Sequence, residues 1–227
     1  MELLLLSSSR TPAGYLTDYL ADIEAFSTGV ENVRFVPFAA VSLDWREYLK
    51  RVQDALSELA LRVEIAQTAD DLAQAELIIV GGGNTFQLLR ECRMRGVLRA
   101  IQEKVRSGAR YLGWSAGANL ACPTIKTTND MPIVDPGGLE ALGLVRFQIN
   151  PHYLSVALPG HHGETRDERL AEFARVNPKL PVIGLPEGAR LRVSGASIEL
   201  RGPHSATWFE GTKPPLRIAP GIIPHEF

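Results

Sequence analysis

Cysteine, long apolar runs and net charge are all scarce in this chain, and each scarcity excludes a class of protein. Cys92 and Cys122 are the only cysteines, too few for a disulfide framework and without the CxxC spacing of a zinc site. No apolar run approaches the ~20 residues of a membrane helix. A formal net charge of -2 provides no basic surface for nucleic acid or an acidic membrane. We therefore expect a cytoplasmic protein that binds neither nucleic acid nor a membrane.

The composition favours one globular domain over residues 1–227. Hydrophobic residues make up 45% of the chain and charged residues 22%, the balance of a protein that buries a sizeable core. The length would also allow two small domains. Leu3 to Leu6 follow Glu2 rather than a positive charge, which favours a buried strand over a signal peptide. The sequence leaves a homodimer open.

Apolar runs alternate with helical periodicity in the first half of the chain. Strands are predicted at residues 2–7, 32–38, 61–65, 76–80 and 111–114, and helical segments at 15–26, 44–59, 70–75 and 85–107, the last broken at Gly96. The run at 76–80 does not alternate, which is typical of a strand covered on both faces. The predicted fold class is therefore α/β, a mostly parallel sheet with helices on both faces.

The second half of the chain is less regular. A turn-rich stretch from 122 to 138 predicts a long loop, and such loops are often functional. Strands are predicted at 145–149 and 181–185, and Thr165 with Glu168 predicts a capping box at the start of a helix. Short antiparallel strands are expected towards the C-terminus, around residues 191, 198–200, 207–209 and 216–218.

Gly113 to Gly117 form a GxSxG motif with Ser115 at its centre. The pattern is typical of a nucleophile elbow, in which a tight strand-to-helix turn pushes the serine out of the sheet. Glycines suit such a turn because neighbouring backbone passes where a Cβ would stand. The alternative is an ordinary small-residue turn after a buried strand, and the motif alone does not decide between the two.

Four predicted strands end in residues that serve acyl transfer. Ligands gather at the carboxyl ends of strands in an α/β sheet, so we expect these residues to share one edge: Gly81 to Gly83, Ser115, His152 and Glu187. The predicted roles are nucleophile for Ser115, general base for His152 and orienting carboxylate for Glu187. His152 is preferred over the other histidines because it follows a strand; these are His161, His162, His204 and His225. A structural histidine and a turn carboxylate in Pro-Glu-Gly remain alternatives.

The glycine run has two functional interpretations. Gly82 and Gly83 are candidate oxyanion donors together with Ala116, which follows the serine. Phe86 stands where GxGxxG has its third glycine, and no P-loop lysine follows, so a dinucleotide site is the weaker interpretation. A nucleotide- or flavin-binding module without hydrolytic activity is still an alternative, as is a plain tight turn.

Seven segments together resemble the peptidase E family, serine peptidases related to class I glutamine amidotransferases. The segments are MELLLLS at the start, IIVGGGNTFQLL at 78–89, GWSAGANLACPTI at 113–125, TTNDMPIVDP at 127–136, QINPH at 148–152, GETR at 163–166 and VIGLPEG at 182–188. The resemblance implies a Ser-His-Glu triad at Ser115, His152 and Glu187. It also implies cleavage of Asp-X dipeptides through an acyl-enzyme, with no metal and no cofactor. Hydrolysis of β-aspartyl linkages, as in cyanophycinase, is the alternative within the same relatives.

An aspartate-specific site would require two further charged groups. The aspartyl side chain needs a cation with paired donors, for which Arg166 is the candidate. The free amino group needs a carboxylate, which Asp130 would supply unless it supports the triad instead. Arg166 has the alternative of a solvated residue in the first turn of a helix, and Asp130 that of a turn residue.

Overall fold

The computed structural model describes residues 1–156, 160 and 163–224. Its strands in chain order are β1 (Glu2–Leu6), β2 (Arg10–Thr11), β3 (Gly14–Tyr15), β4 (Val33–Val36), β5 (Val63–Ile65), β6 (Leu77–Val80), β7 (Arg110–Trp114), β8 (Gln148–Asn150), β9 (Val182–Gly184), β10 (Arg190–Ser194), β11 (Ser197–Arg201), β12 (Ala206–Phe209), β13 (Leu216–Ile218) and β14 (Gly221–Ile222). The helices are α1 (Leu20–Ser27), α2 (Trp45–Ala55), α3 (Thr85–Met94), α4 (Val97–Arg106), α5 (Ala116–Leu120) and α6 (Arg166–Val176), with single 3-10 turns at Thr17–Tyr19 and Asp70–Leu72.

A large sheet carries the first half of the chain. Its strand order is β14-β11-β10-β1-β7-β6-β4-β5. Five neighbouring strands run parallel, namely β1, β7, β6, β4 and β5. Strands β10, β11 and β14 come from the C-terminal region and are antiparallel to their neighbours. The predicted fold class, a mostly parallel sheet with antiparallel strands towards the C-terminus, is confirmed.

Strand β1 shows how helices cover both faces of this sheet. Its four leucines, Leu3 to Leu6, are fully buried, and successive side chains of a strand point to opposite faces. Leu3 and Leu5 belong to a core cluster that includes residues of α3, α4 and α5. Leu4 and Leu6 belong to a second cluster built with α1 and α2. A strand buried on both faces reads as a continuous apolar run, which is why the sequence showed no alternation here.

The strands that precede His152 and Glu187 form a separate sheet. Its order is β13-β12-β9-β8, with β8 and β9 parallel and the other pairs antiparallel. The expectation that all four functional strand ends share one sheet edge is therefore wrong for β8 and β9. They have no place beside β1, because β7 and β10 already pair with its two edges. The second sheet packs instead into the core cluster on one face of the large sheet, through residues such as Ile149 and Ile183.

Most local signals in the sequence are confirmed. The Asn84 side chain caps α3 by accepting from the Gln87 N–H, and Gly96 separates α3 from α4 with a φ of 68°. Thr165 and Glu168 form the predicted capping box of α6. The helix predicted from residue 44 to 59 is shorter in the structure, where α2 ends at Ala55. The apolar residues Leu56 and Leu59 lie in the turns that follow it. Within the described residues, no helix has the length and apolarity to cross a membrane.

Candidate active site

Ser115 lies at a strained turn between β7 and α5. Its φ of 52° and ψ of -113° are rare for a residue with a side chain. Its N–H donates to the Leu6 carbonyl of the neighbouring strand at 3.0 Å, which fixes the turn to the sheet. A Cβ on Gly117 would collide with the Val80 carbonyl, so a glycine is required where the helix passes β6. This geometry is that of a nucleophile elbow.

His152 and Glu187 meet Ser115 across the two sheets. The His152 Nε2 lies 2.9 Å from the Ser115 Oγ, and its Nδ1 lies 2.8 Å from the Glu187 Oε1. These contacts have the pattern of a nucleophile, a base and a carboxylate that orients the base. The side chains of His152 and Glu187 remain 40% and 67% exposed, so this group of three side chains opens to solvent on the Glu187 side.

Ser7 connects the two sheets at this point, a role that the sequence gave no reason to expect. Ser7 follows β1 directly and is fully buried. Its Oγ accepts a hydrogen bond from the His152 N–H at 2.8 Å and donates one to the Leu185 carbonyl at 2.7 Å. His152 is held at a φ of 51°, another rare value for a residue with a side chain. The Ser7 hydroxyl thus helps to fix a strained backbone that aims the imidazole at Ser115.

The glycine loop after β6 lies beside the elbow. A Cβ on Gly82 would stand 3.1 Å from the Ser115 Cβ, and one on Gly83, which has a φ of 140°, would collide with the Ala39 carbonyl. In the described part of the chain, no acceptor takes the N–H groups of Gly82, Gly83 or Ala116. The three predicted oxyanion donors are therefore close to the serine and available.

Asp130 reaches this loop from the other side. Its Oδ2 accepts from the Thr85 N–H at 2.8 Å, the Thr85 Oγ1 at 2.5 Å and the Thr128 Oγ1 at 2.9 Å. The two Thr85 donors tie the long loop to the first residue of α3, where a negative charge is stabilised by the helix dipole, and the Thr128 donor lies within the loop itself. Among the described residues, no hydrogen bond reaches Oδ1. One carboxylate oxygen thus supports the glycine loop, and the other is available to a ligand.

A cavity of about 740 Å³ opens over Ser115 and His152. Asp130, Gly82 and Gly83 line it, and so do two arginines that the sequence did not single out, Arg10 and Arg51. A second cavity, also about 740 Å³, is lined by His152, Glu187 and one of the rival histidines, His204, for which the described residues show no hydrogen bond to Ser115. The other rivals, His161, His162 and His225, lie outside the described residues.

Arg166 lies apart from the cavity over Ser115. It is the first residue of α6, is partly buried, and does not line either cavity at the triad. Burial lowers the pKa of its guanidinium, and nearby Arg169 lowers it further. No described residue pairs with it. A partly buried arginine without a described partner is suited to bind an anion. The arginines that line the cavity over Ser115 are, however, Arg10 and Arg51.

Comparison with known proteins identifies the family to which the chain is similar. The model of a family described as peptidase family S51 matches residues 3–201. Proteins named peptidase E from Salmonella arizonae and Salmonella typhimurium are 49% and 51% identical over 213 residues, covering 92% of this chain and 93% of theirs.

Two crystal structures share the fold. One is a Listeria monocytogenes protein provisionally assigned as a peptidase E, with a TM-score of 0.66 and 24% identity, covering 89% of this chain and 98% of that one. The other is a peptidase from an acI-B1 actinobacterium, with a TM-score of 0.63 and 18% identity, covering 98% and 96%.

Proposed function

The chain belongs to peptidase family S51, and from this membership we propose that it is a serine dipeptidase that cleaves the bond after a free N-terminal aspartate. The observation that carries the proposal is the 2.9 Å contact between the Ser115 Oγ and the His152 Nε2, backed by Glu187 at 2.8 Å. A serine hydroxyl is a poor nucleophile unless such a base takes its proton.

The proposed reaction has two steps that use the same three side chains. His152 takes the proton of the Ser115 hydroxyl as Oγ attacks the carbonyl carbon of the aspartyl residue. The carbonyl oxygen becomes negative and is stabilised by the N–H groups of Gly83 and Ala116. The intermediate then expels the second residue as an amine that carries the proton from His152, which leaves an aspartyl ester on Ser115. Water, activated by His152, hydrolyses the ester and releases aspartate.

The charges of the cavity complement an Asp-X dipeptide. This substrate carries one ammonium group and two carboxylates. The cavity is lined by two cations, Arg10 and Arg51, and by two carboxylates, of which Glu187 pairs with His152 and Asp130 has an oxygen without a described hydrogen bond. Asp130 is proposed to bind the ammonium group, and an arginine the aspartyl side chain. Arg166, which the sequence analysis singled out, is a third candidate for this role, although it does not line the cavity.

Three substrates test the specificity. Asp-Leu is expected to be cleaved, whereas Glu-Leu and N-acetyl-Asp-Leu are poor substrates because one misplaces the carboxylate and the other removes the ammonium charge. Equal rates on all three would refute the specificity. The β-linked isomer is the fourth sample, and faster cleavage of that isomer would favour the cyanophycinase-like alternative. Ser115→Ala should lower kcat by about 10⁴-fold or more, and an active variant would exclude Ser115 as the nucleophile.

Arginine-to-glutamine variants at positions 10, 51 and 166 identify the cation. Replacement of the arginine that binds the aspartyl carboxylate should lower the preference for Asp-Leu over Asn-Leu by about 100-fold. The reason is that only Asp-Leu loses a charged partner. The other two variants serve as matched controls. Unchanged preference in all three would place aspartate recognition elsewhere.

A cytoplasmic location is also proposed, supported by two cysteines that are buried free thiols. The proposed triad lies within one chain, so a homodimer is not required to complete it. Fractionation of cells followed by detection of the protein would test the location.

A further inference from the structure

One buried hydroxyl connects the glycine loop to the strand that carries the nucleophile. Tyr48, on α2, donates from its hydroxyl to the Gly82 carbonyl at 3.0 Å. The same hydroxyl accepts the indole N–H of Trp114 at 3.1 Å. Gly82 follows β6, and Trp114 is the last residue of β7, directly before Ser115. The proposed oxyanion loop and the elbow are thus joined through a single side-chain atom.

The direction of both hydrogen bonds is fixed by chemistry. An indole N–H can only donate, so the Tyr48 oxygen must accept from Trp114, and its single proton is left for the Gly82 carbonyl. Burial raises the pKa of the Tyr48 hydroxyl, so the group keeps this proton at neutral and moderately alkaline pH. The Gly82 carbonyl accepts this proton at 3.0 Å, and the neighbouring Tyr15 hydroxyl can in turn donate to the Tyr48 oxygen.

This pattern determines where the next N–H points. In a trans peptide the carbonyl and the N–H face opposite directions, and the described residues contain no cis peptide. Because the Gly82 carbonyl faces Tyr48, the Gly83 N–H faces away from Tyr48. That N–H finds no acceptor among the described residues. It is therefore held ready for an oxygen of a ligand.

The surrounding residues hold Tyr48 in one place. Its ring packs edge-on against Phe35 with centroids 5.0 Å apart, and Phe35 stacks on Trp114 at 6.1 Å. A Cβ on Gly81 would stand 2.7 Å from the Tyr48 hydroxyl oxygen, so the absence of a side chain at Gly81 gives the hydroxyl its access. Tyr48 is only 6% exposed, which limits competition from water.

We propose that Tyr48, held by Trp114, is a positioning residue that aims the Gly83 N–H at the carbonyl oxygen that becomes negative when Ser115 attacks. The inference rests on the proposed function for its substrate, but the geometry concerns any reaction of Ser115 that builds negative charge on an oxygen. Tyr48 itself does not touch the reacting atoms.

Tyr48→Phe tests the role because it removes the hydroxyl and keeps the ring. Loss of an oxyanion donor lowers kcat by about 10²–10³-fold, and loss of a group that only orients the donor should lower kcat for Asp-Leu by about 10-fold. KM should stay within about twofold, because the interaction strengthens only in the transition state. Loss of active protein would also lower the apparent kcat at unchanged KM, so kcat is calculated per active site, with the fraction of active enzyme taken from the final extent of fluorophosphonate labelling.

Tyr19→Phe is the matched control. Tyr19 is likewise a buried tyrosine, and its hydroxyl lies 3.1 Å from the Ser8 Oγ rather than beside the glycine loop. Melting temperatures of both variants show whether they are folded under the assay conditions. Equal losses of kcat in Tyr48→Phe and Tyr19→Phe would overturn the proposal.

A second readout does not depend on the substrate. In a fluorophosphonate reaction, the Ser115 Oγ displaces fluoride from phosphorus and its proton passes to His152, while negative charge builds on the phosphoryl oxygen. Intact-mass spectrometry should show labelling of Tyr48→Phe about 10-fold slower than wild type, by the same reasoning. If wild type labels but does not cleave Asp-Leu, the proposed function fails and the labelling ratio still tests Tyr48. Equal labelling rates would overturn the role of Tyr48.

Discussion

Replacement of Ser7 by alanine removes a single oxygen that lies outside the triad and yet connects its parts. The Ser7 Oγ accepts the His152 N–H at 2.8 Å and donates to the Leu185 carbonyl at 2.7 Å. The Leu185 carbonyl keeps a second donor, the Tyr153 N–H at 3.0 Å. The His152 N–H loses its only described partner, so the effect is concentrated on the residue that carries the base.

The expected magnitude follows from these contacts. Loss of the two hydrogen bonds costs about 1 kcal/mol each, so the free energy of unfolding should fall by about 2 kcal/mol. A residue held at an unfavourable positive φ stores about 1–3 kcal/mol, and His152 is such a residue at 51°. Because the lost restraint is comparable with the strain, the backbone is free to relax and the imidazole to move. A misplacement of 1 Å can lower a rate by about 10²-fold, and we expect kcat to fall by about 10- to 100-fold with little change in KM.

Urea denaturation and Asp-Leu hydrolysis measure the two effects separately. Ser27→Ala is the control, because Ser27 is also buried and its hydroxyl donates at 2.8 Å to the Ile23 carbonyl within α1, away from the triad. That variant should lose about 1 kcal/mol of stability or less and keep its kcat. A folded Ser7→Ala enzyme with wild-type kcat would refute the reasoning.

Three further variants test other parts of the structure. Gly83→Ala should unfold at a much lower temperature or fail to accumulate, because its methyl collides with backbone at a φ of 140°, whereas Gly29→Ala, with open space and a φ of 74°, should lose only about 1 kcal/mol in the same melting assay. Thr165→Ala removes the cap of α6 and should cost about 1 kcal/mol by urea denaturation, and an unchanged midpoint would contradict a capping role. Glu187→Gln should lower kcat by about 10- to 100-fold, which is less than the loss expected for a buried triad carboxylate. The Glu187 side chain is 67% exposed, so solvent screens its interaction with His152. A loss of kcat as large as that of Ser115→Ala would contradict this screening.

The sequence predicts the elements well and their pairing poorly. Continuous apolar runs locate β1, β6 and β7, and the side chains of Asn84 and Thr165 locate the starts of α3 and α6, because these signals are local. The separate sheet is not predictable in this way. Strands β8 and β9 have three residues each, and a run of that length does not specify its partner. Their exclusion from the large sheet depends on β10, a later strand that pairs with β1.

The candidate site divides along the same line. Ser115, His152 and Glu187 could be predicted because each follows a strand and bears a reactive group, and the structure brings them together. Ser7 could not, since its hydrogen-bond partners are 145 and 178 residues away in sequence. Tyr48 is one member of an apolar stripe on α2. The stripe predicts that its ring is buried but does not show whether its hydroxyl makes a hydrogen bond in the site. Arg10 and Arg51 gave no signal because isolated surface arginines are common.

The pairing of β1 also bears on how the protein emerges from the ribosome. Leu3 pairs with Tyr111 on one side and with Val193 on the other, so β1 gains its second neighbour only when β10, which lies much later in the sequence, has been synthesised. Until then a strand of four leucines has an open edge, and open apolar edges pair with other chains. We therefore expect this edge of β1 to be exposed to such pairing until β10 has formed, and the proposed triad to form only after β8 and β9 have placed His152 and Glu187.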